Sequence, residues 1–529
     1  MLLGLSQTAC DDNLEEKPLD FLNSDVLLVN PQGFNSAITG LYEGVRWVYF
    51  REDGARSQAM FLGTDVAMTG DRTLADFKNY KTWVNPTQIS VQHYWDAMYL
   101  YVIPRANTII DYADRPSTTW ASEEEKNRVV AEARFFRAYA YNFLANLYGG
   151  VPIVEGLLRA PKSDFERATR EEVYDFARQD LEFASQWLPA TPPQDGRISK
   201  GAADHLLTEV YINLKQYDKA ITSATQVING GQHRLMTARF GKYVSQPGDV
   251  ISDLHAQDNQ NRSAGNMETL WNLQFEPRTT PGGTVLNGQF AAVNWLRAWG
   301  PTWWSINDPA GKTGMVLSTD TLGRGVGWVR PTDYYSYTVW RGNPTDVRNS
   351  KYNIRRSYYY NNPASAFFKQ KVDPTKTTVD TMVQYYPMIT KIEGTAELTE
   401  GANYGRAFKD VYLMRLAETY LLRAEAYFLK NQLQEAANDI NVIRARANAT
   451  PVAPNQVSLD YILDERAREL IIEENRRLTL NRMGRLAERV KLYNSLSGSS
   501  VEEYHELYPI PQTAIDANFG KVLAQNPGY

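Results

Sequence analysis

A single cysteine, Cys10, stands in 529 residues, so no disulfide can form within the chain and no cysteine-based metal cluster is available. Histidine is nearly as scarce. His93, His205, His233, His255 and His505 are scattered and show no metal-ligand spacing. No apolar run reaches the roughly 18–20 residues of a membrane-spanning helix. Positive charge is not in excess: 56 basic against 61 acidic residues leave a net charge of −5, which argues against nucleic acid as a partner. The motifs G-x-S-x-G, H-E-x-x-H and G-x-x-x-x-G-K-[ST] do not occur. Gly323-Arg324-Gly325-Val326-Gly327 lacks both the G-x-G-x-x-G spacing and a preceding apolar strand, so it reads as a loop.

What the chain does have is aromatic side chains and helical periodicity. It carries 12 Trp and 32 Tyr, with 43% hydrophobic and 22% charged residues, the last two ordinary for a soluble globular protein. Periodicity starts near Gly33, returns over Gln92–Asp114 with Pro104 as an interruption, and is strongest in Ser122–Tyr148, Arg170–Trp187, Ala202–Leu214 and Tyr217–Asn229. In the third of these, Ala133, Phe136, Ala140, Phe143, Leu144 and Leu147 fall on one helix face, and Gly149-Gly150 ends the run. From about Gly230 to Asn403 the pattern fades into Gly, Pro, Asn and Ser with clustered aromatics, which predicts irregular ordered structure. Helices resume at Phe408–Leu429, Leu433–Ala447, Leu459–Glu474 and Arg476–Leu492. The stretch from Glu209 aligns without gaps on the stretch from Glu425 to Ile443, pairing Tyr211 with Tyr427, Gln216 with Gln432 and Ala220 with Ala436. This is the turn of a tetratricopeptide-type helix pair, and such pairs stack into a solenoid. The residues therefore predict a mostly α solenoid with a long aromatic insert.

The start, Met1-Leu2-Leu3-Gly4-Leu5, is too short for a signal h-region, yet Ala9-Cys10 suits a bacterial lipoprotein cleavage site. Residues 1–10 are read as a signal-peptide remnant with Cys10 as the lipidated residue. Residues 11–32 follow as a tether, 33–229 as an N-terminal helical region, 230–407 as the aromatic region and 408–529 as a C-terminal helical region with closing loops.

Three segments, with their order and spacing, carry a family resemblance. They are AEARFFRAYAYNFLANLYGGVP (Ala131–Pro152), RLAETYLLRAEAY (Arg415–Tyr427) with NVIRARA (Asn441–Ala447) after it, and DERAREL (Asp464–Leu470), followed by YPIP and QNPGY. The chain resembles the SusD/RagB family from Cys10 to Tyr529. That resemblance implies a tetratricopeptide-like right-handed helical solenoid with an irregular, loop-rich ligand-binding insert. It implies a surface-exposed, lipid-anchored outer-membrane protein, not an enzyme and without a cofactor, that binds an oligosaccharide and hands it to a SusC-like TonB-dependent barrel. RagB-like members take peptides, so cargo class stays open between the two. Arg415, Glu418, Arg423 and Glu425 suit salt bridges, the mixed-charge run Asp464–Glu474 reads as a solvated or paired helix face, and Asp346-Val347-Arg348 as a structural turn.

Seven of the twelve Trp lie within Trp271–Tyr360. Gly300 and Pro301 break WLRAWGPTWW, so a loop can present rings whose faces pack on sugar C–H groups. Trp271 and Trp328 read as core. The ligand candidates here are Trp295, Trp299, Trp303 and Trp304, with Tyr334 and Arg341 behind them; the Trp303-Trp304 pair is expected to split between interior and surface. In the N-terminal half, Asp65, Arg72, Trp83 and Asn85 roughly match the family's ligand-facing acidic residue, arginine, tryptophan and asparagine, with Trp83 ranked first. A glycoside hydrolase needs two convergent carboxylates. Asp308, Asp320, Asp333 and Glu393 are the available acids.

Overall fold

The computed structural model describes residues 23–50, 58–70, 77–276, 285–286, 289–290, 293–317, 322–394 and 407–529. Cys10, most of the 11–32 tether, Arg72 and Asp320 lie outside the described residues. Successive helices pack as neighbours. Pro31–Phe50 lies against Ile103–Ala113, which contacts Glu123–Tyr148; Arg170–Trp187, Lys200–Asn213 and Tyr217–Asn229 follow in turn. The stack then continues directly to Leu416–Leu429 and Leu433–Arg446, skipping everything between. The irregular middle of the sequence is thus an insertion between two consecutive helix pairs. Among its described residues it contains short helical turns and two-residue to five-residue strands joined in two-stranded ribbons.

The internal repeat is a repeat in space. At equivalent positions, Lys215 and Asn431 adopt left-handed backbone, with φ of 58° and 60°. The next residue bonds back identically in each copy, Gln216 N to Tyr211 O and Gln432 N to Tyr427 O, both at 2.8 Å. Ala220 and Ala436 are fully buried where the second helix of each pair meets the first. A larger side chain at either position would push the two helices apart.

Two details depart from the simple periodic reading. Pro104 does not end a helix. The chain widens into a π-helical stretch, Ala97–Val102, and Pro104 falls in the first turn of Ile103–Ala113, where its missing N–H costs nothing. The Glu123–Tyr148 helix, capped by the Ser122 hydroxyl on Glu125 N at 3.1 Å, is not one-faced. From Val129 onward every residue except Arg134 is buried, because helices pack on it from several sides. A helix with no free face needs small residues all round, and this one has five alanines between Ala131 and Ala145.

The Asp464–Glu474 run is paired, and its pairing is internal. Glu465, Arg466, Arg468, Glu469 and Glu474 are buried, so only part of this helix is a solvated face. Glu469 receives Arg415 Nη1 at 2.8 Å, Arg348 Nη1 at 3.1 Å and Arg446 Nη2. Arg415 also reaches Glu473 at 2.8 Å and Glu268 at 2.5 Å, and Arg446 meets Glu268 at 2.8 Å. Arg348 chelates Asp346 in the expected turn and adds Glu465 at 2.8 Å. Glu268, Asp346 and Arg348 come from the insertion; Arg415, Arg446, Glu465 and Glu469 come from the helical stack. The remaining expected pairs are also present: Glu418 with Arg466, Arg423 with Asp439 and Glu425 with Arg482.

Burial alone would raise these carboxyls, but the surrounding guanidiniums override it. Glu465 is held at about 2 by Arg348, Arg468 and Arg444, and Glu469 well below its usual range by Arg446, Arg415 and Arg348. A depressed carboxylate contributes stability above its unfolded value, near 4.3, and loses it as pH falls toward the folded value. The thermal midpoint is therefore expected to be flat from pH 5 to 7 and to fall steeply between about pH 4.3 and 2. Glu469→Ala, which removes a carboxylate shared by three buried guanidiniums, is expected to cost about 3–5 kcal/mol in thermal or urea unfolding at pH 7. An unchanged midpoint would contradict the buried lattice.

Candidate ligand platform

Antiparallel pairing brings together two regions far apart in sequence. Strand Ala67–Thr69 pairs with Val329–Pro331, in register Ala67 with Pro331 and Thr69 with Val329. The pairing extends by Gly70 N to Trp328 O at 3.2 Å and Thr332 N to Val66 O at 3.0 Å. The stretch that carries Asp65 thus ends beside the loop that carries the tryptophans.

Glycines let the backbones at this edge nearly touch. A Cβ on Gly70 would lie 2.5 Å from Gly327 O and 2.8 Å from Met382 O. A Cβ on Gly325 would lie 2.2 Å from Gly300 O, and one on Gly327, whose φ is +66°, would lie 2.6 Å from the Val383 side chain. The G-R-G-V-G run is therefore a loop, as its sequence predicts, and its glycines serve close approach. Thr302 N to Val383 O at 2.8 Å ties the third loop to the same place.

On this frame stand Trp304 and Trp328, both half-buried. Trp304 fixes its ring by Nε1 to Gly325 O at 2.9 Å, with the Arg324 guanidinium 5.0 Å from its centroid. The Arg297 guanidinium lies 5.3 Å from the Trp328 centroid. Below them Arg330 donates to Met382 Sδ at 3.0 Å and pairs with Asp333 at 3.1 Å. Indole faces with neighbouring guanidinium donors can pack on the apolar face of a ring and bond its hydroxyls.

The other sequence candidates are distributed differently. Trp83, ranked first, has no exposed face. It is fully buried, donates Nε1 to Ser90 Oγ at 2.9 Å, and packs on Phe77 at 4.2 Å and on the Arg477 guanidinium at 4.8 Å. Asp65 is equally enclosed, gripped by Arg476 at 2.9 and 2.7 Å and by Arg489 at 2.7 Å. Burial would raise its carboxyl, but these two cations hold it at about 2, so it anchors the C-terminal helices. Asn85 turns on itself, donating to Thr82 O at 2.7 Å and accepting from Thr87. Trp295, Trp299 and Trp303 are buried: Trp295 against Phe50 and Phe61, Trp299 with Nε1 on Gln58 at 3.0 Å, Trp303 with Nε1 on Gly323 O at 3.1 Å. Tyr334 is buried, its hydroxyl held by Arg489 at 2.7 Å and bonded to Asp464, with its ring stacked 4.0 Å from Tyr493. Arg341 is exposed in a turn, away from these contacts. Of the four tryptophans in WLRAWGPTWW only Trp304 keeps surface.

Sequence reasoning missed Trp328, which it assigned to the core, and the cations Arg297 and Arg324. The available signal was the spacing Gly-Arg-Gly-Val-Gly-Trp: a chain that crosses other backbones closely and then carries a large ring. Among the acids considered for hydrolysis, Asp308 is occupied by Ser365 and its own turn, Asp333 by Arg330 and Glu393 by Arg355. Among the described residues, no group of three or more His, Cys, Asp or Glu is arranged to hold a metal ion.

Two family models match the two ends of the chain: the SusD family over residues 329–529, and a family described as starch-binding associating with outer membrane over residues 14–212. The chain is a member of the SusD-like family. It is similar along its whole length to SusD-like protein P2 of Formosa agariphila, at 25% identity covering 98% of that protein. In fold it is similar to a SusD homolog from Bacteroides thetaiotaomicron, with a TM-score of 0.73 at 22% identity over 96% of this chain and 98% of that one. A laminarin-binding SusD-like protein superposes with a TM-score of 0.70 at 23% identity over 95% of this chain and all of that one. The predominantly helical, tetratricopeptide-like architecture is that of these SusD-like structures.

Placement separates the tryptophans experimentally. Trp83→Ala and Trp299→Ala empty enclosed sites and are expected to cost about 3–5 kcal/mol in unfolding experiments. Trp304→Ala and Trp328→Ala remove half-exposed rings and are expected to shift the midpoint much less. Equal destabilisation by all four would contradict the placement.

Proposed function

We propose that this SusD-like protein is a cell-surface glycan-binding lipoprotein that captures an oligosaccharide and delivers it to a SusC-like TonB-dependent outer-membrane transporter. The observation that carries the reading is the Trp304–Trp328 edge: two half-buried indoles, each with a guanidinium nearby, on a frame of crossed backbones. Such an edge suits shallow capture of a sugar chain and requires no nucleophile. Family membership supports it. One matching family is described as starch-binding and associating with outer membrane, and a protein of the same fold is a laminarin binder. The reading is of a binding protein and not of an enzyme.

In this reading Cys10 carries the lipid anchor and the segment after it serves as tether, keeping the protein close to its transporter while it moves. One acyl chain holds a membrane only marginally, so the anchor requires a multiply acylated cysteine. Arg72, two residues beyond Gly70 in sequence, is a further proposed ligand contact. Cys10→Ser is expected to release the protein from the outer-membrane fraction, and a TonB-dependent barrel is expected to co-purify with the wild type.

The binding step is tested with wild type, Trp304→Ala and Trp328→Ala against laminarin, starch, xylan, mannan and pectin oligosaccharides and a peptide library. Saturable binding to one glycan class is expected. Each substitution should weaken it at least tenfold, equivalent to about 1.4 kcal/mol, with the melting temperature nearly unchanged. Binding of peptides only would move the protein to the RagB-like branch of the family, and binding of glycan unaffected by either substitution would displace the platform.

A further inference from the structure

A second cleft, of about 350 Å³, opens beside the helix Val250–His255, walled by residues 239–247 on one side and by Lys351, Tyr352, Arg355, Thr390 and Glu393 on the other. It shares no lining residue with the Trp304–Trp328 platform. Its walls are tightly built. Arg239 Nη2 bonds the buried Asp253 at 3.0 Å and also donates to the carbonyls of Tyr243 and Gln246 at 3.0 Å, which folds that loop over the cleft. On the far wall the Thr390 hydroxyl donates to Tyr352 O at 2.7 Å, and the next residue, Asn353, donates Nδ2 to Asp249 Oδ2 at 2.9 Å.

The chemistry facing the cleft is paired. Arg355 Nη2 donates to Glu393 Oε1 at 2.7 Å, and the two side chains keep 30% and 17% of their surface exposed. Glu393 is positioned from behind by the buried Lys409, whose ammonium bonds its carbonyl at 2.6 Å. Arg239 retains 26% of its side-chain surface on the opposite wall. Two half-buried tyrosines, Tyr243 and Tyr352, complete the lining. A partly open arginine–carboxylate pair presents donors beside acceptors at fixed spacing. Vicinal hydroxyls, each able to donate and accept at once, are complementary to that pattern. Tyrosine rings add flat apolar surface for the C–H face of a pyranose.

We propose that this cleft is a second saccharide site, which binds one sugar ring through vicinal hydroxyls to the Arg355–Glu393 pair and Arg239, with Tyr243 and Tyr352 against the ring. It is independent of the platform in position, and it goes beyond the capture reading by giving the protein two separate contacts for one long glycan or two short ones.

The test uses the whole protein and the same laminarin, starch, xylan, mannan and pectin oligosaccharides. In a Trp304→Ala/Trp328→Ala background, saturable binding to at least one glycan should remain. Adding Tyr352→Ala, or the near-isosteric Glu393→Gln where the alanine variant misfolds, should weaken that remainder at least tenfold. Hydrogen–deuterium exchange of the doubly substituted protein at saturation should slow in residues 239–257 and 351–355. Loss of all binding in the Trp304→Ala/Trp328→Ala protein, or residual binding indifferent to both Tyr352→Ala and Glu393→Gln, would overturn the cleft and leave the platform standing. A wild type that binds none of these glycans would overturn both.

Discussion

Arg415 is almost wholly withdrawn from water, yet it donates to Glu268, Glu469 and Glu473 together. Around it Arg348, Arg446 and Lys391 share the same carboxylates. Burying a charge carries a desolvation cost of several kcal/mol per ion, offset only when every donor finds a partner in good geometry. The lattice is therefore satisfied in one arrangement of the chain and heavily penalised in others. Because Glu268, Asp346, Arg348 and Lys391 belong to the insertion and the rest to the helical stack, that one arrangement fixes how the insertion sits. An apolar seam of similar area would tolerate sliding; this one does not.

The ligand platform inherits that rigidity from a second clamp. Asp65 locks to Arg476 and Arg489, Arg477 holds the carbonyls of Ala59 and Leu62, and Asn494 holds those of Thr64 and Ala67. Strand Ala67–Thr69 is thus fastened to the C-terminal helices before it reaches the insertion, and Val329–Pro331 pairs with a fixed template. A shallow site gains little from burial, so its affinity depends on losing little entropy when the ligand arrives. Trp304 and Trp328 stand on backbone held by close crossings and by the Gly70–Trp328 and Thr302–Val383 hydrogen bonds, which limits the entropy left to lose on binding.

This explains which parts of the protein were legible in its sequence. The helix pairs were, because Tyr211/Tyr427, Gln216/Gln432 and Ala220/Ala436 encode a local turn whose geometry depends on a few neighbouring residues. The insertion between them was legible as a loss of periodicity. The salt-bridge residues were legible as pairs but not as an interior lattice, since nothing local distinguishes an arginine that faces water from one enclosed among four elements. The candidate platform was legible in part. Trp304 lies on the platform, whereas Trp83, Asp65, Trp295, Trp299, Trp303 and Tyr334 are spent on packing and anchoring.

Aromatic abundance misled for a physical reason. An insertion with only two-stranded ribbons has no sheet face or helix stripe around which to build a core, so it relies on large side chains to exclude water, and Trp and Tyr bury the most area per residue. Most rings in such a region must be internal, whatever the protein binds. Each enclosed indole that hydrogen-bonds, Trp83 to Ser90, Trp299 to Gln58 and Trp303 to Gly323, uses its polar edge to hold a loop. The tryptophans left at the surface, Trp304 and Trp328, are distinguished by their neighbours instead: glycines that let backbones cross nearby, and an arginine whose guanidinium lies near each ring. In a loop-built binding region, the glycine and arginine spacing around a tryptophan carries more information than the tryptophan itself.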